Sequence, residues 1–452
     1  MLGRHFIDRW RVSVTERPSR FTADLVFDVR AQLHRLTDRR LRLSREYEQR
    51  ILDADAGPAD MLSTSDLREA AADGPIVVIN VSTLRCDAII VQDSEPRAIS
   101  LPELTYTDAA SIANRYHESL LATQAASGTF FDALEAASDG GWEATQRFLD
   151  ASAQLRNARV EEERMLIDTS NWLWHTVVQP VKVHLALPTT NGAPLPRLWW
   201  CPTGPLVGLP LHAAGTGPGP SAESVLDWVV SSYTPTITAL LSARRSAARR
   251  PSTANPGTFL LLSLSTTPGE PPLPHVVAEA ESILSRLPSD RVTVLNNEKA
   301  TRQRVRHGFT AHRSVHLGCH AEQDLADPSN GALVLHDGRL TVLDLGRSRS
   351  DGDFAYLSAC KTGTGGVALA EESVSMAAAL HFAGFHRVIA TLWSVQDAVA
   401  AQVADLVYGQ MIDDGRFNPS SAALALHRAL VHVRELNPEL PSRWSPFVHL
   451  GI

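Results

Sequence analysis

Cysteine is scarce in this chain and widely spaced. Four of its 452 residues carry a thiol, Cys86, Cys201, Cys319 and Cys360. No two have the Cys-x-x-Cys spacing of a structural metal site, and four isolated thiols do not make a disulfide framework. A reducing, cytoplasmic setting is therefore expected, with no metal and no cofactor. A basic excess is missing as well: the formal net charge of -8 argues against a general nucleic-acid binder. The segment Met1 to Arg11 mixes Arg, His and Asp with apolar residues and has no continuous apolar core, so no secretory signal is expected. The longest apolar stretch, Met376 to Val395, is broken by His381, Gly384, His386 and Arg387, and no membrane span is expected. A repeat period of about 34 residues is not visible, so no helical repeat array is expected within the chain.

What is present is an ordinary globular composition, 44% hydrophobic and 20% charged, over a length that accommodates two or three domains. From Phe21 to Leu52 apolar residues recur at helical spacing (Leu25, Val29, Leu33, Leu36, Leu43, Tyr47, Ile51), so residues 1–72 are read as a helical N-terminal segment. After the break at Asp73-Gly74-Pro75, the run Ile76 to Val81 predicts a buried strand and Asp87 to Val91 its partner. Thr107 to Thr176 has a helical pattern punctuated by Gly140-Gly141. Arg197 to Cys201 and Trp228 to Tyr233 read as further strands, so residues 73–241 form a first α/β domain. Ser242 to Gly257, rich in Arg, Ser, Ala and Pro without an apolar period, is expected to be an interdomain linker.

From residue 258 to 452 strand and helix signals alternate, which implies a doubly wound α/β domain with a mainly parallel sheet. Two short apolar runs stand out there. Ser314-Val315-His316-Leu317-Gly318-Cys319-His320 stops at a histidine, and Phe354-Ala355-Tyr356-Leu357-Ser358-Ala359-Cys360 stops at a cysteine. In an open parallel sheet, reacting groups collect in the crevice beyond the carboxyl ends of the strands, so neighbouring strands would bring imidazole and thiol together. A thiol needs an adjacent base to become a nucleophile at neutral pH, and the base later protonates the leaving amine. His320 and Cys360 can supply both parts. The loop Lys361 to Gly366 is glycine-rich enough to aim backbone N–H groups near the sulfur. The bland alternative is a core cysteine acting as a small hydrophobe. His316 and His320 do not suggest a metal pair, because four residues of strand separate them by roughly 13 Å. Cys319 points to the opposite face from His320 and is read as core.

The series Val315-His316-Leu317-Gly318-Cys319-His320, Leu357-Ser358-Ala359-Cys360-Lys361-Thr362-Gly363 and Val388-Ile389-Ala390-Thr391-Leu392-Trp393-Ser394-Val395-Gln396-Asp397 resembles the signature of CHAT-domain proteins, caspase- and separase-like cysteine peptidases of clan CD. Supporting matches are Leu273-Pro274 with Glu279 and Glu281, the start Glu371-Glu372-Ser373, and the ending Trp444-Ser445-Pro446-Phe447. The similarity covers roughly Gly74 to Ile452, and the segment Leu195 to Leu206 resembles CHAT sequences of fungal type. The resemblance implies a caspase-like fold with a pseudo-protease half followed by an active protease half. It makes Cys360 the nucleophile, His320 the general base, and the backbone N–H groups of Cys360 and Ala321 the oxyanion donors. Ala321 stands where the family usually has glycine, and an alanine resists positive φ at a cost of about 1 kcal/mol or more.

A Leu-Trp-x-Val-x-Asp stretch similar to this one lines the S1 pocket in separases, which suggests that Asp397 receives a basic P1 side chain. Its other reading is an N-cap for the Ala-rich helix that follows. Glu322 and Asp324 are alternative acids beside His320. Trp199 and Trp200 are read as core packing rather than a ligand groove. Cys201 and His212 do not form a matching pair in the first half. The implied function is hydrolysis of a peptide bond in a protein substrate, controlled by a regulatory protein partner or a helical repeat module. The alternative is a catalytically silent caspase-like scaffold.

Overall fold

The computed structural model describes residues 62–138, 140–185, 187, 194–219, 222–249, 258–323, 331–341, 344–345, 350–358, 361–362 and 376–452. The helical pattern of Phe21 to Leu52, Asp324, Cys360, the glycine loop Gly363 to Gly366 and Glu371-Glu372-Ser373 lie outside the described residues.

The strands are β1 (Ile76–Asn80), β2 (Asp87–Val91), β3 (Arg97–Ser100), β4 (Arg197–Pro202), β5 (Val230–Tyr233), β6 (Phe259–Ser263), β7 (Val292–Asn296), β8 (Ser314–Gly318), β9 (Ala321–Gln323), β10 (Ala332–Leu335), β11 (Gly338–Thr341), β12 (Phe354–Leu357), β13 (Lys361–Thr362), β14 (Arg387–Thr391), β15 (Ile412–Asp413), β16 (Arg416–Phe417) and β17 (Phe447–Gly451). Eleven of them make one continuous sheet in the order β3-β2-β1-β4-β5-β17-β14-β12-β8-β6-β7. Within the first half β1, β4 and β5 run parallel, and within the second β14, β12, β8, β6 and β7 do. The halves meet through β17, which is parallel to β5 and antiparallel to β14. A second sheet, β11-β10-β9-β13, sits beyond the ends of β8 and β12.

The central strands are apolar along their whole length because both faces are covered. Alternate residues feed opposite cores. Leu260, Leu262, Val315, Leu317, Ala355 and Leu357 join one, while Phe259, Leu261, Phe354 and Tyr356 join the other. Each fully buried leucine contributes roughly 2 kcal/mol of burial. The second core is closed by the helices His275–Leu284, Asp397–Met411 and Ala422–Leu436. On the first half, the long helices Tyr106–Ser138 and Trp142–Leu173 pack together as a hairpin, turned at Gly140 with φ +62°. Among the described residues no helix is long and apolar enough to cross a membrane.

One expectation is corrected. Ser242 to Ala248, assigned to a linker, is the second half of the helix Ile237–Ala248, whose N-terminus is capped by the Thr236 hydroxyl accepting from the Ala239 N–H. Leu240, Leu241 and Ala243 are buried. The short apolar face was hidden by the Arg- and Ser-rich composition around it. Residues 250–257 lie outside the described set.

Candidate active site

Strand order reverses beside β6: β7 lies on one side of it and β8, β12 and β14 succeed one another on the other. Crevices at the carboxyl ends of strands open at such a reversal. β8 and β12 are parallel neighbours, with Leu317 opposite Leu357. His320 follows Leu317 by three residues, and Cys360 follows Leu357 by the same three. Just downstream the two segments pair again, Lys361 with Glu322 and Thr362 with Gln323. The two pairings therefore bracket His320 on one segment and Cys360 on the other.

His320 is 8% exposed, and its Nε2 lies 2.8 Å from the carbonyl oxygen of Pro271. A carbonyl can only accept, so Nε2 carries the proton, and in the neutral ring Nδ1 is left as the basic nitrogen. Pro271 belongs to the Pro/Gly-rich stretch after β6, which folds back on itself through the bond from the Leu273 N–H to the Ser265 carbonyl, 2.9 Å. Sequence reasoning passed over this partner, since a backbone carbonyl leaves no residue-type signal. Ala321 is buried and extended in β9, opposite Leu333. Among the described non-glycine residues, positive φ occurs at Asn297 and Asp414. The strain expected for alanine after the histidine therefore does not arise, because the backbone here is a strand.

Beneath the strand ends lies a buried polar cluster. The Glu279 carboxylate, 1% exposed, accepts from the Ser358 hydroxyl at 2.6 Å and lies 3.0 Å from His316 Nε2. His316 Nδ1 is 3.0 Å from the Tyr408 hydroxyl, and its ring stacks on Tyr356 with centroids 5.2 Å apart. Burial raises the hydroxyls of Tyr356 and Tyr408 far above the usual phenol range. Both ring nitrogens of His316 are thus engaged by protein groups. The cluster needs the helix His275–Leu284 close to β8, and Gly318 permits it. A Cβ there would stand 2.8 Å from Val276 Cγ1 and 3.0 Å from the Leu262 carbonyl oxygen.

Asp397 is the first residue of its helix, whose N-cap is Gln396. Its Oδ2 accepts from the backbone N–H of His275 at 2.8 Å and so caps the neighbouring helix rather than its own. The stretch from Pro271 to His275 therefore touches His320 at one end and Asp397 at the other. Cys319 is fully buried, as are Trp199 and Trp200. In the first half, burial pushes the Cys201 thiol up to about 11, and Cys201 Sγ lies 3.6 Å from the Pro235 carbonyl. Burial pushes His212 down to about 3, with its Nδ1 2.9 Å from the Tyr233 hydroxyl. Both are neutral at pH 7 and each is engaged elsewhere. Glu322 lies in β9, next to Ala321.

The model of the CHAT domain family matches residues 168–452, well over half of the chain. The chain belongs to the CHAT-domain family. No curated protein sequence matches it. Among solved structures, this CHAT protein is similar to Saccharomyces cerevisiae separase in two crystal structures of the separase–securin complex. At 2.6 Å resolution the TM-score is 0.55 with 10% identity over 86% of this chain and 31% of that one. At 3.0 Å the TM-score is 0.52 with 9% identity over 86% and 30%. A weaker likeness, TM-score 0.39 and 12% identity over 64% of this chain and 76% of the other, is to Porphyromonas gingivalis RgpB in a complex of its pro- and mature domains. The CHAT protein thus has a separase-like, caspase-type fold and spans about a third of the separase chains it matches.

Proposed function

We propose that this CHAT protein is a cysteine endopeptidase in which Cys360 is the nucleophile and His320 the general base. The observation that carries the reading is the double bracketing: β8 pairs with β12 just before the two residues, and β9 pairs with β13 just after them. The Pro271 carbonyl supports it by holding the His320 tautomer whose Nδ1 is free to accept a proton. In the reaction, Nδ1 takes the thiol proton and the thiolate attacks the peptide carbonyl. The tetrahedral oxyanion is received by the N–H groups of Cys360 and Ala321. The imidazolium then gives its proton to the leaving amine, and water activated by His320 releases the acyl group. The protonated ring is steadied by the Pro271 carbonyl, which accepts from Nε2 throughout.

Asp397 supplies the acid for a basic P1 side chain, held in place by the His275 N–H. The first half acts as a non-catalytic support, and a protein partner controls access, as the separase structures with securin suggest by analogy. Incubation with a fluorogenic tetrapeptide library varied at P1 tests the proposal, comparing the natural chain with Cys360→Ala and His320→Ala. Cleavage after Arg or Lys that both variants lose is the expected result. Absence of cleavage, together with absence of selective Cys360 labelling by iodoacetamide near neutral pH, would establish instead a caspase-like scaffold.

A further inference from the structure

The buried cluster under the strand ends joins every segment that the proposed chemistry uses. His316 lies on β8, four residues before His320. Ser358 follows β12 and precedes Cys360 by two residues. Glu279 sits on the helix that begins just after Pro271, and Tyr408 on the helix that begins at Asp397. One carboxylate ties three of these together: Oε1 accepts from the Ser358 hydroxyl at 2.6 Å, and Oε2 faces His316 Nε2 at 3.0 Å. A carboxylate only accepts, so Nε2 of His316 donates. With the ring neutral, Nδ1 then accepts from the Tyr408 hydroxyl at 3.0 Å. Every proton in the chain of bonds has a direction, and both carboxylate oxygens are engaged.

Such a cluster is a costly way to hold a core together. Glu279 is 1% exposed and His316 fully buried, and apolar side chains of similar volume usually serve stability as well or better. What apolar packing does not supply is direction. The main-chain ladder fixes β8 against β12 as far as Leu317 and Leu357, and the side-chain hydrogen bonds add a fixed orientation of the helix His275–Leu284 and of Ser358 relative to that ladder. Catalysis between an imidazole and a thiol is sensitive to small displacements. Gly318 carries the same message, because its missing Cβ allows the Glu279 helix to approach β8.

We infer that Glu279, His316 and Ser358 form a positioning network that, beyond the main-chain pairing of β8 and β12, holds the segment leading to His320 against the segment leading to Cys360. The inference rests on the peptidase reading. These residues touch neither substrate nor reacting atoms and act through the two strand ends they tie together. Loss of one bond leaves the fold standing and lets the imidazole drift from the thiol. The effect falls on kcat and on thiolate formation rather than on KM.

The test uses the full chain with Ser358→Ala, Glu279→Gln and His316→Gln. Iodoacetamide alkylation of Cys360, followed by mass spectrometry across pH, reports thiolate formation without a substrate. The tetrapeptide assay gives kcat and KM, and thermal unfolding confirms that each variant is folded. The expected result for Ser358→Ala and Glu279→Gln is a fall of about ten- to a hundred-fold in kcat with KM unchanged. The pH midpoint of Cys360 alkylation moves up toward that of His320→Ala. Wild-type kcat and an unmoved alkylation midpoint in the folded Ser358→Ala and Glu279→Gln variants would overturn the inference. That outcome differs from failure of the peptidase reading itself, in which the natural chain and His320→Ala alkylate alike at every pH.

Discussion

The two halves of the sheet are built from the same parts and give their histidines different surroundings. Each has parallel strands covered by helices, and each has a cysteine and a histidine within a few residues of an apolar run: Cys201 before His212 in the first half, His320 before Cys360 in the second. In the first half Cys201 closes β4 and His212 lies in the tight turn that follows, both buried among apolar side chains. There burial dominates: it pushes the thiol up to about 11 and, against a backbone hydrogen bond at Ser445, the imidazole down to about 3, so neither is available for proton transfer at neutral pH. In the second half His320 sits beside a backbone carbonyl at the mouth of the strand reversal. A Cys and a His near strand ends are therefore insufficient. The second half differs in having an adjacent pair of parallel strands whose ends are joined again downstream by β9 and β13.

The largest effect that would sharpen this contrast is on activity. Cys360→Ala should lower peptide hydrolysis by about 10³-fold or more, whereas Cys201→Ala should leave kcat/KM within about twofold. Iodoacetamide should accordingly label Cys360 in the folded protein at pH 7.5 and leave Cys201 unmodified until the chain is unfolded. Equal labelling of both thiols would erase the distinction between the halves.

Acid stability comes next, and it probes each half separately. Burial lowers His212 in the first half to about 3 and His427 in the second to about 4, from an ordinary value of 6.5. Both are neutral when folded, so acid protonates the unfolded chain first. Stability that is complete above about pH 6.5 is lost as pH falls toward those folded values. At pH 5 the loss is about 2 kcal/mol for each group. Urea unfolding at pH 7 and pH 5 measures it, and His212→Gln or His427→Gln should each remove about half of the difference. A stability unchanged between the two pH values would show that these rings are not held neutral.

Smaller effects concern how the second half is assembled. Gly318→Ala should cost about 1–3 kcal/mol, because the new methyl meets the Leu262 carbonyl and Val276. A thermal midpoint equal to that of the natural chain would mean that the helix His275–Leu284 moves away at no cost. For Asp397, two substitutions separate charge from capping. Asp397→Asn keeps an acceptor for the His275 N–H and should reduce cleavage after Arg or Lys about tenfold, with little change in stability. Asp397→Ala should lose the same selectivity and about 1 kcal/mol besides. If Asn retains full preference for basic P1, the residue is a cap and nothing more.

Much of this was legible in the chain. The runs Ile76 to Val81, Arg197 to Cys201, Ser314 to His320 and Phe354 to Cys360 became β1, β4, β8 and β12, the last two ending at Gly318 and Leu357, since a strand buried on both faces announces itself by continuous apolar residues. Gly140-Gly141 separated two helices as expected. Other features were not legible. The helix Ile237–Ala248 was hidden by its composition, and β9 with β13 is too short to leave a pattern. The Pro271 carbonyl has no side-chain signature at all.

The amino-acid sequence by itself determined most of the strands and helices, the family to which the chain belongs, and the candidate imidazole and thiol that follow two of its apolar runs. Those are properties of local period and of residue type, readable within a few positions. Only the tertiary structure decided that both halves share one sheet through β17, that His320 meets Pro271, that Glu279 binds His316 and Ser358, and that Asp397 caps a helix other than its own. The four side-chain bonds join residues 37 to 122 positions apart. Their partners are chosen by how the elements pack, and no local pattern records that choice.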